Sequence, residues 1–102
     1  MWEVRPEPQF QRDYKRVMKA HPQLRQEFLA AVRELIATGR VPEAYHPHEL
    51  AAPGGNYNGH VDFRLSDGLV DVIVLYLPRK TNPVIRLVRM GSHEELFRGK
   101  MK

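Results

Sequence analysis

A chain of 102 residues with 42% apolar and 27% charged side chains has material for one domain and one core. The lack of cysteine removes disulfides and thiolate metal sites, and the longest apolar run, Val72 to Leu77, is far too short to cross a bilayer; the expectation is a soluble, untargeted, cytoplasmic protein with no membrane partner. Sixteen Lys and Arg against twelve Asp and Glu leave a net charge of +4, a moderate bias toward polyanions.

The alternation in Trp2-Glu3-Val4-Arg5 predicts a short strand, stopped by Pro6 and Pro8. A helix follows Pro8, with Phe10, Tyr14, Val17 and Met18 at helical spacing and Arg12, Lys15, Arg16 and Lys19 on its other faces. His21-Pro22 breaks it, and Pro22 suits the first turn of a second helix. Leu24, Phe28, Val32, Leu35 and Ile36 form the second helix's apolar stripe, and Thr38-Gly39 ends it with a glycine suited to a left-handed cap. Residues 41–58, rich in Pro, His, Gly and Asn, read as a long loop.

The clearest alternation in the chain comes next. Val61, Phe63 and Leu65 point one way and His60, Asp62 and Arg64 the other, as in a strand with one face on the helices and one open. Ser66-Asp67-Gly68 is a hairpin turn, Asp71 to Leu77 a central strand, and Val84 to Met90 the last strand after a turn at Pro78 to Pro83. Simple alternation places Arg86 and Arg89 on opposite faces, so without a bulge only one of them joins Arg64. Gly91 then turns the chain, Ser92 can cap a helix, and His93 occupies its first position. The expected fold is α+β: an N-terminal strand, a two-helix hairpin, three antiparallel strands and a short C-terminal helix. Both long helices pack on one face of a four-stranded sheet, leaving the other face open, polar and basic.

Core packing does not require a histidine at position 93. An imidazole beside arginines can donate or accept a proton near neutral pH, although a surface histidine in a helical turn is the plainer alternative. His46, His48 and Glu49 invite a metal reading, but the ligand set is incomplete, so neither a metal nor another cofactor is expected. Arg64 can hold a phosphate with two hydrogen bonds, and Arg89 is a similar candidate. Arg86, Lys80 and Lys15 add to a basic, phosphate-binding surface. With His48 and His93 as base and acid, such a set can cleave RNA without metal. Asp62, Asp67 or Asp71 could orient a histidine or an arginine, or be no more than turn and strand-end residues. Phe97, one helical turn beyond His93, suits either the core or a stacked base.

The segment Arg89-Met90-Gly91-Ser92-His93-Glu94-Glu95-Leu96-Phe97 is similar to the R-x-G-[ST]-H-x-x-L-F ending of the YafQ branch of the RelE/ParE toxin superfamily. The likeness extends over nearly the whole chain, through Phe10-Gln11-Arg12-Asp13-Tyr14-Lys15-Arg16, His48-Glu49-Leu50, Asn56-Tyr57-Asn58-Gly59 and Tyr76. It implies a toxin of a type II toxin–antitoxin pair that cuts mRNA in the ribosomal A site and is silenced by a cognate antitoxin. It also implies roles for His48, His93 and Phe97. The family's strand histidine is replaced by Arg64, which moves the role of base to His48. The family's hairpin aspartate corresponds to Asp71 when counted back from Tyr76, and to Asp67 when counted forward from Arg64; Asp71 is preferred. The alternative is a ParE-like or catalytically inactive relative acting by binding gyrase or only its antitoxin.

Overall fold

The computed structural model describes residues 2–50, 59–65, 70–78 and 83–97, Phe97 by its backbone alone. Strand β1 (Glu3–Pro6) leads into α1 (Pro8–Ala20), whose N1 proline needs no hydrogen-bond acceptor. A 3₁₀ turn at Pro22–Leu24 makes the corner, so α2 (Arg25–Thr38) starts three residues later than the proline suggested. Gly39 ends α2 at φ +81°, donating its N–H to Leu35 O at 2.9 Å, and a β-carbon there would run into the Trp2 indole. After a second 3₁₀ turn (Glu43–Tyr45) come β2 (His48–Glu49), β3 (Val61–Arg64), β4 (Ile73–Pro78), β5 (Val84–Gly91) and α3 (His93–Phe97).

The sheet has five strands in the order β1-β5-β4-β3-β2, with β1 parallel to β5 and the remaining pairs antiparallel. The fifth strand is β2, inside the stretch expected to be loop. It pairs His48 with Asp62 and Glu49 with Val61, and the Gly59 N–H closes the link on Leu50 O at 2.7 Å. The hairpin expected at 66–68 lies outside the described residues. Ahead of β4, Asp71 precedes the ladder instead of opening it.

One face of the sheet carries the main core. Phe10, Val17, Phe28, Ala31 and Leu35 from the helices pack on Phe63, Leu65, Val74, Tyr76, Ile85, Leu87 and Met90. Each fully buried large side chain contributes roughly 1.5–3 kcal/mol relative to exposure. The other face is not open as expected. Ile73, Leu75 and Leu96 are buried there, with Leu50 and Val88 packed beside them. A central strand with apolar residues on both faces needs cover on both, and α3 supplies it through Leu96. This small apolar seal fixes the position of α3 next to the polar residues of β3.

Candidate active site

The N-terminus of α3 is held by a reciprocal cap. The Glu95 N–H donates to Ser92 Oγ at 3.0 Å, and the Ser92 N–H donates to Glu95 Oε1 at 3.1 Å. A β-carbon on Gly91 would approach Glu95 Oε1 to 3.0 Å, so the glycine lets the cap close. Arg16 of α1 grips the other carboxylate oxygen of Glu95, and Leu96 is anchored in the apolar seal. These contacts leave His93 little freedom of backbone placement.

Asp71 fixes its side chain. The aspartate accepts the His93 backbone N–H at 3.3 Å and lies 2.7 Å from ring Nδ1. That pairing calls for a proton on Nδ1, so proton exchange with anything in the adjoining space falls to Nε2. The space is a cleft of about 230 Å³ lined by Arg64, Val70, Asp71, Val72, Ile73 and His93. Arg64 reaches it because β3 pairs Arg64 with Ile73, and β4 pairs Ile73 with Gly91, one residue before the cap. Three of the residues singled out from the sequence therefore line one cleft. A guanidinium, an imidazole and its carboxylate there can bind an anionic oxygen and move a proton beside it.

His48 stands outside that lining. It is opposite Asp62 in the β2–β3 ladder, with Nδ1 3.6 Å from Asp62 Oδ1, and its side chain is 59% exposed. Asp62 itself, one of the three aspartates that the sequence offered for orienting a histidine or an arginine, is only 6% exposed. Burial pushes its carboxyl above the ordinary value of 3.8, while the positive charges of His48, His93 and Arg64 pull the other way without offsetting it. Alternation along β3 already separated Asp62 from Phe63; the cover given by β2 and α3 was not visible in the sequence.

The remaining basic candidates do not converge on the cleft. The β4–β5 register shifts between Leu75 and Tyr76, so that Leu75 faces Arg89 and Tyr76 faces Leu87. Val88 is the extra residue of this bulge. The pairs Leu75–Arg89 and Leu77–Arg86 therefore put both arginines on the sheet face that carries Arg64, where alternation without a bulge allowed only one. Yet neither lines the cleft, because each side chain turns to another partner. Arg89 Nε donates to Asp13 Oδ2 at 2.7 Å, and Arg86 lies 3.5 Å from Glu7. Asp13 is 2% exposed and also accepts the Met90 N–H at 3.1 Å, beyond the end of β1 where the edge of β5 needs a partner. Lys15 lines a separate apolar groove of about 500 Å³ between α1, α2 and β1, with Phe10, Tyr14, Phe28 and Val32. Lys80, Asp67 and the side chain of Phe97 lie outside the described residues. Among the described residues no group of three or more His, Asp or Glu is arranged to hold a metal ion.

A family profile described as the YafQ toxin of bacterial type II toxin–antitoxin systems matches residues 2–98. Among solved structures, a metal-bound toxin from Helicobacter pylori is 28% identical, with a TM-score of 0.70 over 95% of this chain and 100% of that one. YafQ from E. coli is 24% identical, with a TM-score of 0.69 over 95% of this chain and 99% of that one. The toxin fold also superposes on the E. coli DinJ–YafQ complex at 22% identity, with a TM-score of 0.67 over 95% of this chain and 99% of that one. The two E. coli likenesses concern the fold alone. No curated protein matches the chain.

Proposed function

Because the chain belongs to the YafQ family of bacterial type II toxins, we propose that it is a ribosome-dependent endoribonuclease that cleaves mRNA in the A site by metal-independent 2′-hydroxyl attack. The observation that carries this reading is the His93–Asp71 pair facing Arg64 across one cleft. A surface that only binds a partner needs no oriented imidazole beside a guanidinium.

His48 takes the proton of the 2′-hydroxyl, and the freed oxygen attacks the adjacent phosphorus. Arg64 stabilises the charge that builds on the phosphate oxygens. The bond to the 5′-oxygen breaks as His93 Nε2 delivers a proton to that leaving group, giving a 2′,3′-cyclic phosphate and a 5′-hydroxyl. Asp71 keeps the ring of His93 in the donor orientation and stabilises its cationic form. Phe97, one turn along α3, is assigned to stacking on a base. Lys15, Lys80, Arg86 and Arg89 are assigned to the wider RNA or ribosome surface, with Arg89 also tied to Asp13. The chain acts in the cytoplasm, on ribosomes, and a cognate antitoxin silences it; the complex of the related YafQ with DinJ supports such a partner. No helix among the described residues is long and apolar enough to cross a membrane.

Primer extension of cellular mRNA after induction tests the reading. New cuts at A-site codons are expected with the natural chain and not with His93→Ala. Growth arrest without any new cut transfers the protein to the binding-only class.

A further inference from the structure

Asp62 is a buried ionisable group to which the proposed reaction gives no task. Its side chain is 9% exposed, and it sits on the sheet face where its β4 neighbour in the ladder is Leu75. Burying a carboxylate costs several kcal/mol unless opposite charge or hydrogen bonds offset it. An apolar residue would serve packing against Leu75 better. The groups that do surround it are His48 opposite on β2, Arg64 two residues along β3, and His93 on α3. Asp62 thus lies opposite His48, the other of the two histidines given a part in the proposed reaction, and on the strand that also carries Arg64 into the cleft.

Resting on the cleavage reading above, we infer that Asp62 is a positioning residue for His48, holding the ring through Nδ1 so that Nε2 is presented to the 2′-hydroxyl. The relationship repeats that of Asp71 to His93, which also runs through Nδ1. Two imidazoles, each backed by a carboxylate on the same ring nitrogen, present their Nε2 atoms as base and as acid. The two pairs differ in tightness. At 3.6 Å the His48–Asp62 contact is just beyond a direct hydrogen bond, whereas His93–Asp71 is closed at 2.7 Å. His48 is mostly exposed on a two-residue strand and has the freedom to close the gap when RNA covers it. The arrangement also accounts for how a site can work with Arg64 in the place of a strand histidine. The base is supplied from the neighbouring strand, and the strand beneath it supplies the group that aims it.

The test has one arm that needs no activity. Nitrogen-15 spectra of the histidine rings in the full chain, recorded where the imidazoles are neutral, should show His48 with its proton on Nδ1. In Asp62→Leu the proton should return to Nε2, the tautomer that free imidazole prefers. A natural chain whose His48 already carries the proton on Nε2 overturns the inference, and that result stands even if Asp62→Leu fails to fold. The second arm uses the shape-preserving Asp62→Asn. Single-turnover cleavage on programmed ribosomes should slow by about 10- to 100-fold, with no further loss when Asp62→Asn is added to His48→Ala. Losses that multiply across the two sites would place Asp62 in the fold and not behind His48. If the natural chain does not cut at all, the cleavage reading fails, while the ring-nitrogen arm still decides whether Asp62 holds His48.

Discussion

Two buried aspartates divide the molecule into a part that holds and a part that works. Asp13, 2% exposed, and Asp62, 6% exposed, are the same residue at nearly the same burial, and they shift in opposite directions. Burial pushes both carboxyls up. At Asp13, Arg89, the Met90 N–H and Gln9 outweigh burial and hold the group below 3.8. At Asp62 the surrounding charges come from His48, His93 and Arg64, and burial prevails. The first set is a filled hydrogen-bond shell that ties α1 to the edge of β5. The second is an arrangement poised around groups that can still engage something else.

Breaking the comparison at its strong end should give the largest change in stability. Asp13→Ala removes the carboxylate that Arg89 and the Met90 amide bind and should cost about 3 kcal/mol of unfolding free energy, read by urea denaturation. Arg64→Ala should leave stability unchanged but remove about 2–3 kcal/mol of transition-state stabilisation, seen as slower single-turnover cleavage. An equal loss in stability would make Arg64 part of the scaffold. Ser92→Ala removes one half of the cap and should cost about 1 kcal/mol locally, read as faster amide exchange at Glu95. Exchange unchanged from the natural chain would mean that Leu96 and the contacts of the Glu95 carboxylate position α3 without the serine hydroxyl.

The smallest effect concerns pH, and the two aspartates differ in sign. Asp13, with its folded value lowered, stabilises the fold above its unfolded value of 3.8 and loses that contribution as pH falls from there toward the folded value. Asp62, with its folded value raised, penalises the fold at neutral pH, and the penalty fades as pH falls through the raised value to 3.8. Asp62→Asn should therefore be as stable as the natural chain or slightly more stable at pH 7, and this difference should vanish near 3.8. The Asp13→Ala deficit should instead persist down to about 3.8 and shrink only below it. A common pH dependence for the two variants would remove the distinction between the sites.

The same contrast explains what the sequence could reveal. The two helices, the Gly39 cap and the alternation of β3 were legible because period and punctuation are local properties. Strand β2 was not, since two residues carry no period and its existence depends on pairing with Val61 and Asp62. Arg89 read as a phosphate ligand from its own place just before the Gly91 turn, with no sign in the sequence of its bond to Asp13. Only the fold brings the two together across seventy-six positions. Burial of Asp62 was hidden for the same reason, its cover coming from β2 and α3 rather than from its own strand. The choice of Asp71 as a site aspartate came from the family resemblance, by counting back from Tyr76, and its contact with His93 from the turn that Gly91 and Ser92 make.

The central claim is that a 2′-hydroxyl is activated at this cleft and that His93 protonates the leaving oxygen. Single-turnover cleavage on ribosomes programmed with natural mRNA, and with mRNA carrying one 2′-deoxynucleotide at the cleavage position, tests it most directly. The account predicts cutting of the natural message, none of the deoxy-substituted one, and a loss of about 10²- to 10⁴-fold with His93→Ala. Equal cutting of both messages, or a His93→Ala variant as fast as the natural chain, would contradict it.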